Sequence, residues 1–113
     1  MELIHVLNKI IISSGVMSSD ITSESLNINE VKGFAMQAVW SGATGASSSD
    51  LILIQGSCDG SNWSTVDTKN LGGATSGSLL VNIDRPHYSY MRVFYDKVNT
   101  TAGSLTVTVN MKQ

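Results

Sequence analysis

The sequence predicts an all-β protein: an antiparallel two-sheet β-sandwich of about eight strands, with a jelly-roll as one form of that fold. Alternation of apolar and polar residues recurs along the chain, whereas helical periodicity is hard to find. Short segments rich in Gly, Ser, Asn and Thr separate the alternating runs. The length of 113 residues suits a single domain, 1–113, and a parallel fold would need crossover helices that the pattern lacks.

The last predicted strand shows the alternation most clearly. Its apolar side chains, from Leu105 to Met111, occupy every second position between threonines and asparagine. The same analysis predicts strands at about 7–14, 24–30, 33–41, 50–57, 62–67, 78–84, 88–96 and 103–112. The predicted core consists of Phe34 or Val39, Leu51, Ile52 or Leu53, Ile54, Leu79, Val81, Leu105, Val107 and Val109.

A hairpin is predicted between residues 50 and 67. The Asp59-Gly60 dipeptide is typical of a tight hairpin turn, and Trp63 leads into the second strand. The oxygens of Asp59 and Asn62 could also serve a calcium ion. The segment lacks the acidic spacing and the closing glutamate of a calcium-binding loop, so the turn is favoured.

Residues 1–20 form either an edge strand or an arm that leaves the body, and the edge strand is favoured. Their apolar residues exceed what one edge strand buries, which predicts contact with a partner surface. The predicted contacts are Leu3, Ile4, Val6, Leu7, Ile10 and Ile12. Polar residues such as Glu2 and Lys9 interrupt the segment, so neither a signal peptide nor a membrane span is expected.

Composition bears on several classes of function. Charged residues make up 14% of the chain, against about 25% in ordinary soluble domains. The net charge is −2 without any basic run, so no nucleic-acid partner is expected. Cys58 is the only cysteine, which excludes an intrachain disulfide and a cysteine-based zinc site.

Catalytic and metal-binding patterns are missing from the sequence. His5 and His87 have no Asp, Glu or Cys at ligand spacing, and no serine lies in a Gly-x-Ser-x-Gly elbow. We therefore expect no enzyme activity, no metal and no cofactor.

An aromatic surface is a separate possibility for binding. Trp63, Tyr90 and Arg92 are residue types that favour interfaces or sugar rings. Alternation assigns Tyr88, Tyr90, Arg92 and Phe94 to one face of their strand, and Met91, Val93 and Tyr95 to the other, of which one must enter the core.

The run from Leu51 to Val66, the later Tyr90-Met91-Arg92-Val93 strand and the terminal Gly103-Ser104-Leu105-Thr106-Val107-Thr108-Val109 strand together resemble small β-sandwich virion proteins of tailed bacteriophages. The resemblance covers roughly residues 31–113 and leaves the N-terminal segment unexplained. Singly, the Ser-x-Asp-Gly-x-x-Trp turn and the Tyr-x-Arg-Val strand are also similar to discoidin-like binding modules. The chain departs from those modules in its short length and in lacking a terminal cysteine pair.

The phage resemblance implies a non-enzymatic structural protein of the virion, made in the host cytoplasm, that acts in decoration, as a cement or as a head–tail adaptor. Its partners would be other virion proteins and copies of itself. The alternative is a small carbohydrate-binding module that recognises a glycan through exposed aromatic side chains. A small hydrolase would need a pocket that holds His87 near a carboxylate and a serine.

Overall fold

The computed structural model describes residues 6–112, which form nine strands and no helix. This part of the chain therefore has no helical segment long and apolar enough to cross a membrane. The strands are β1 (Val6–Val16), β2 (Ile21–Thr22), β3 (Leu26–Asn27), β4 (Gly33–Ser41), β5 (Leu51–Ser57), β6 (Ser64–Asn70), β7 (Gly77–Asp84), β8 (Tyr90–Asp96) and β9 (Ser104–Lys112).

The strands form two antiparallel sheets. The first has the order β1-β9-β4-β7; the second has the order β2-β8-β5-β6, with β3 also paired to β8. The chain passes from one sheet to the other at every connection except β2–β3 and β5–β6. With β2 and β3 taken as one interrupted strand, this is the connectivity of a jelly-roll. The predicted antiparallel two-sheet sandwich is confirmed.

Of the predicted strand at 24–30 only β3 forms, and a second short strand, β2, precedes the predicted range; both pair with β8. Ser23 lies between them. Its backbone N–H donates to the carbonyl of Val93, and its hydroxyl accepts from the N–H of the same residue, at 2.9 and 2.8 Å. A side chain thus replaces part of the strand ladder at this point.

The core lies between the inner faces of the two sheets. Phe34, Met36, Ala38 and Trp40 face inward from β4, as their alternation predicts. The other buried apolar side chains of the sheets include Ile52, Ile54, Val81, Met91, Val93, Tyr95, Leu105, Val107, Val109 and Met111. Burial of Val81, Leu105, Val107 and Val109 confirms those core predictions.

For two core positions the structure decides between the predicted alternatives, and one further core prediction is wrong. Phe34 is buried and Val39 is exposed on the opposite face of β4. Ile52 and Ile54 take the inward positions of β5, so Leu51 and Leu53 face outward and are only partly buried. The prediction of Leu51 as a core residue was therefore wrong, because a run of four apolar residues hides which pair of positions points inward. Leu79 lies at the margin, partly buried against the core.

The N-terminal segment is an edge strand wherever the structure describes it. β1 pairs with β9 from Val6 to Val16, with register shifts on either side of Ile12. The first shift lets both Ile11 and Ile12 enter the core, where they are 7% and 5% exposed. Ser14, within the second shift, has a φ of 50°. These irregularities bend the strand against the sandwich.

Candidate functional site

The turn between β5 and β6 is organised by Asp59. One carboxylate oxygen accepts hydrogen bonds from the backbone N–H groups of Ser61 and Asn62, both at 2.8 Å, and from the hydroxyl of Ser57 at 2.9 Å. The other accepts from the Asn62 side-chain amide at 2.7 Å. A turn forms at Asp59 and Gly60 as predicted, but it lies within a loop of residues 58–63 that is longer than the predicted tight turn. The Asp59 carboxylate accepts its hydrogen bonds from within this loop.

These donors also set the charge of the turn. The pKa of Asp59 is held well below its usual range by the hydrogen bonds that its carboxylate accepts. In order of effect, the donors are the backbone N–H of Asn62, the side-chain amide of Asn62, the backbone N–H of Ser61 and the hydroxyl of Ser57. Asp59 is therefore a carboxylate at neutral pH. Because its oxygens already accept four hydrogen bonds, a cation bound there would have to displace the bonds that define the turn.

Beside this turn, the outer face of β5 and β8 carries a cluster that we call the aromatic patch: Gln55, Trp63, Tyr90 and Arg92. The Arg92 guanidinium carbon lies 4.4 Å from the centre of the Trp63 ring, and its Nε donates to the Gln55 side-chain oxygen at 2.8 Å. Gln55 and Arg92 are directly opposite each other in the β5–β8 ladder. The structure thus brings together the three predicted aromatic-surface residues, Trp63, Tyr90 and Arg92.

Tyr90 completes the patch by covering the turn. A β-carbon added at Gly60 would lie 3.5 Å from the Tyr90 ring, and Gly60 itself has a φ of 78°. Glycine suits this backbone conformation, and a side chain at the same position would meet the Tyr90 ring at an ordinary van der Waals distance. The patch is therefore a half-buried surface whose polar groups, Arg92 and Gln55, are fixed by their neighbours.

The other two tyrosines are structural. Tyr95 is fully buried, donates to the carbonyl of Met17 at 3.3 Å, and has its pKa raised by burial. Tyr88 was predicted to share the face of Tyr90, and this prediction is wrong. Its ring lies on the core side against Gly56, because β8 begins only at Tyr90 and the alternation does not extend back to residue 88.

The predicted N-terminal contacts have different environments. Leu3 and Ile4 lie outside the described residues, and Val6 begins β1. Leu7 and Ile10 are about half exposed, at 51% and 52%, whereas the side chain of Ile12 belongs to the core. As partner contacts these residues stay predictions.

Ile10 contributes to a second surface, the outer face of the four-stranded sheet. Strand register sets three successive rows of side chains across this face, and none of them is charged. The rows are Asn8–Asn110–Ala35–Asn82, Ile10–Thr108–Gln37–Leu80 and Thr106–Val39–Ser78. Ile10, Val39 and Leu80 are 52%, 47% and 67% exposed. We call this surface the uncharged face.

The residue types most often found in catalytic and metal sites lie outside the aromatic patch and the uncharged face. His87 lines an open cleft of about 530 Å³ with Val31, Lys32, Asp84, Arg85 and Pro86. That lining includes a carboxylate but no serine. Across residues 6–112, no three His, Cys, Asp or Glu side chains lie close enough to hold a metal ion. Cys58 is exposed in the β5–β6 turn.

Sequence analysis missed Asp50, the centre of a buried network. One of its carboxylate oxygens accepts from the backbone N–H groups of Val98, Asn99 and Thr100, at 2.7–3.1 Å. The other accepts from the N–H and hydroxyl of Ser47, both at 2.9 Å. Its fully buried side chain therefore joins the loop before β5 to the loop before β9.

Comparison with known proteins finds similarity in fold and not in sequence. No family model matches the chain, and no curated protein matches it. The SPBc2 prophage-derived protein YomS aligns with 100% of this chain and 97% of its own, with a TM-score of 0.66 and 9% identity. VP2 of infectious bursal disease virus, in its subviral particle, aligns with 96% of this chain and 33% of its own, with a TM-score of 0.62 and 14% identity.

An adhesin domain shares the architecture as well. The K2 cleaved adhesin domain of Lys-gingipain aligns with 83% of this chain and 62% of its own, with a TM-score of 0.55 and 12% identity. The structures similar in fold thus include a prophage-derived protein, a viral particle protein and an adhesin domain. At these identities the likeness establishes the fold.

Proposed function

We propose that this chain is a non-enzymatic structural protein of a bacteriophage virion. It binds capsid or head–tail subunits and copies of itself, in a decoration, cement or adaptor role. Its site of action is the assembled particle, after synthesis in the host cytoplasm. No nucleic acid, membrane, metal or cofactor takes part in this role.

The uncharged face is the observation that carries the proposal. An exposed four-stranded sheet with three rows free of charge, and with Ile10, Val39 and Leu80 protruding from it, is a poor surface for a freely circulating monomer. Thr, Asn and Gln side chains fill the spaces between those aliphatic groups. Such a surface can pack against another protein without leaving a charge buried and unpaired.

Two further observations support a virion role. The turn and strand motifs resemble small phage β-sandwich proteins, and the fold matches a prophage-derived protein over nearly its whole length. Another match is VP2 of infectious bursal disease virus, in a subviral particle. In both the sandwich is the shared element, which agrees with a role based on contact surfaces.

Purified particles provide the test. Particles of a phage that encodes the chain should contain it in stoichiometric amounts by mass spectrometry. Particles that lack it should bind the added wild-type protein and should bind Val39→Lys with lower occupancy, because a lysine there would have to be desolvated at a contact. Thr65→Lys, on an exposed strand of the other sheet, is the matched control. Absence of the chain from particles would exclude the proposal.

The N-terminal contacts need a sharper test than truncation of residues 1–12. Such a deletion would also damage the sandwich, because β1 supplies Ile11 and Ile12 to the core. A Leu7→Asp/Ile10→Asp variant changes only half-exposed side chains and keeps the core intact. Normal particle occupancy of this folded variant would remove Leu7 and Ile10 from the proposed contact surface.

Glycan binding is a second candidate function, favoured by the aromatic patch. Arg92 covers one face of Trp63, so a sugar would use the opposite ring face together with Tyr90. A glycan array probed with the wild type and with Trp63→Ala gives the readout. Binding that is lost in Trp63→Ala, by a protein that never associates with particles, would favour this function over the virion role.

A further inference from the structure

β7 ends the four-stranded sheet, and no strand from residues 6–112 pairs with its outer side. The strand matches β4 over eight consecutive residue pairs, from Trp40–Gly77 to Gly33–Asp84, without a register shift. It contains no proline, and its single charge is Asp84 at the end. A straight, uncharged edge of this length exposes unpaired backbone N–H and C=O groups and is a template for another strand.

The other sheet edges carry features that discourage pairing. β1 has two register shifts, and its Lys9 forms an ion pair with Glu24 at 3.5 Å. β6 has one register shift and carries Asp67 and Lys69. β2 and β3 are only two residues long each. Bulges, charges and short strands are the usual protections of sheet edges, so β7 is the unprotected one among the described strands.

We propose that β7 pairs antiparallel with β7 of a second copy, centred on Val81, and joins the two four-stranded sheets into one continuous sheet. This pairing rests on the self-association in the proposed function and specifies its surface. The contact is isologous, because the same strand serves both copies.

The side chains of β7 complement themselves in this register. Opposite residues of an antiparallel pair lie on the same face of the sheet. Val81 therefore meets Val81 of the second copy, and Leu79 meets Ile83. Leu79 and Ile83 are only partly buried at the core margin, so this pairing covers apolar surface that one copy leaves open.

Charge also favours a second copy of β7 as the occupant. On the outer face, Leu80 lies opposite Asn82, and Ser78 lies opposite Asp84, so no like charges meet. A β1 or β6 strand from a second copy would instead bring Lys9, or Asp67 and Lys69, to this uncharged edge. A parallel β7 pair would place both Asp84 side chains at the same end.

Strength in solution should be modest, because one pair of strands buries less area than a standard protein interface. Many copies held on one particle raise the effective concentration of each edge and strengthen such a contact. The dimer should therefore form in a concentration series that extends from the micromolar to the millimolar range.

Two variants at the same exposed positions test the register. Leu80→Lys/Asn82→Glu places each introduced lysine opposite an introduced glutamate of the second copy and should keep the dimer. Leu80→Lys/Asn82→Lys places lysine opposite lysine twice and should weaken the dimer about tenfold or more relative to the first variant. Sedimentation equilibrium of the purified full chain measures both dissociation constants, and circular dichroism checks that both variants fold.

Mixing two variants that each dimerise weakly tests whether opposite charges restore the dimer. Leu80→Glu/Asn82→Glu should be weak alone but should form a heterodimer with the double-lysine variant. Thr22→Lys, at an exposed position of β2 in the other sheet, should leave the dimer unchanged, since β2 lies at the far edge of that sheet and takes no part in the proposed pairing.

Three results would overturn the inference: a wild-type protein that stays monomeric throughout the series, equal dissociation constants for the two double variants, or loss of the dimer in Thr22→Lys. None of these measurements uses particles. A chain found in virions but monomeric in solution would therefore remove the β7 pairing alone, and a dimer that never joins particles would remove the virion role alone.

Discussion

The carboxylate of Asp50 accepts a 2.7 Å hydrogen bond from the backbone N–H of Val98, a residue 48 positions later in the chain. With the N–H groups of Asn99 and Thr100, it fixes the loop that leads into β9. Ser47 binds the second oxygen from the other loop. One buried side chain thus holds both loops at this end of the sandwich.

Replacing Asp50 should destabilise the fold strongly. Asp50→Asn keeps the shape of the side chain but turns one accepting oxygen into a donor that faces other donors. We expect a loss of about 2–4 kcal/mol in the free energy of unfolding, because several backbone N–H groups lose their partner. Urea denaturation measures it, with exposed Asp84→Asn as the control. A loss no larger than the control's would show that water replaces the carboxylate without cost.

Acid should weaken the same network. Burial by itself would raise the pKa of Asp50, but the N–H groups of Val98, Asn99 and Thr100 and the Ser47 hydroxyl outweigh it and hold the pKa well below 3.8. A depressed pKa gives stability that is present above about pH 3.8 and is lost as the pH falls towards the folded-state value.

The measurement compares unfolding free energies of the wild type and Asp50→Asn from neutral pH downward. Their difference should be constant near neutrality and should shrink below about pH 3.8. Asp59 also has a depressed pKa, but it is present in both proteins and cancels. A difference that stays constant into strong acid would contradict the assignment to Asp50.

Most of the architecture follows from local patterns, because a strand buried on one face repeats its pattern every second residue. β4 and β9 were predictable for this reason, as was the turn at Asp59. Long-range relations were not. Nothing near Asp50 indicates that the loop at residues 98–100 will supply its donors. Nor does the alternation around Tyr88 show that β8 starts two residues later, which turns this ring toward Gly56.

The candidate surfaces, too, could be predicted only in part from the sequence. Trp63, Tyr90 and Arg92 could be selected as residue types, but their meeting depends on the β5–β8 register. The uncharged face depends on the order β1-β9-β4-β7, which a single sequence does not reveal. The lack of charge along residues 70–83 was visible. That this uncharged segment forms a free sheet edge follows only from the strand order.

Arg92 should be more important for local order than for overall stability. Arg92→Lys loses the planar stack on Trp63 and the Nε hydrogen bond to Gln55. Because the site is half exposed, we expect a loss of about 0.5–1 kcal/mol and a changed tryptophan emission spectrum. Arg85→Lys is the control, since Arg85 lies in the cleft away from Trp63. An unchanged spectrum in Arg92→Lys would contradict the stacked geometry.

Removal of residues 1–12 should unfold or severely weaken the protein. It deletes the part of β1 that pairs with the second half of β9, and it takes two buried isoleucines from the core. Loss of one such side chain alone costs about 2–5 kcal/mol. Far-ultraviolet circular dichroism and thermal melting of the truncated chain give the readout, with Ile10→Ala as a mild control at an exposed position. A truncated chain that melts like the wild type would show that β1 is dispensable.

Val107 provides the strictest test of which face of β9 is inside. Its side chain is fully buried, whereas Thr108, the next residue, lies on the outer face between Ile10 and Gln37. Val107→Asp places an unpaired carboxylate among apolar groups and should cost several kcal/mol, on the order of 3–5, or abolish folding. Thr108→Asp introduces the same charge one position away and should cost about 1 kcal/mol or less, since its side chain reaches solvent. Urea midpoints of the two variants compare them directly. Equal losses would mean that β9 does not present one face to the core and the other to solvent.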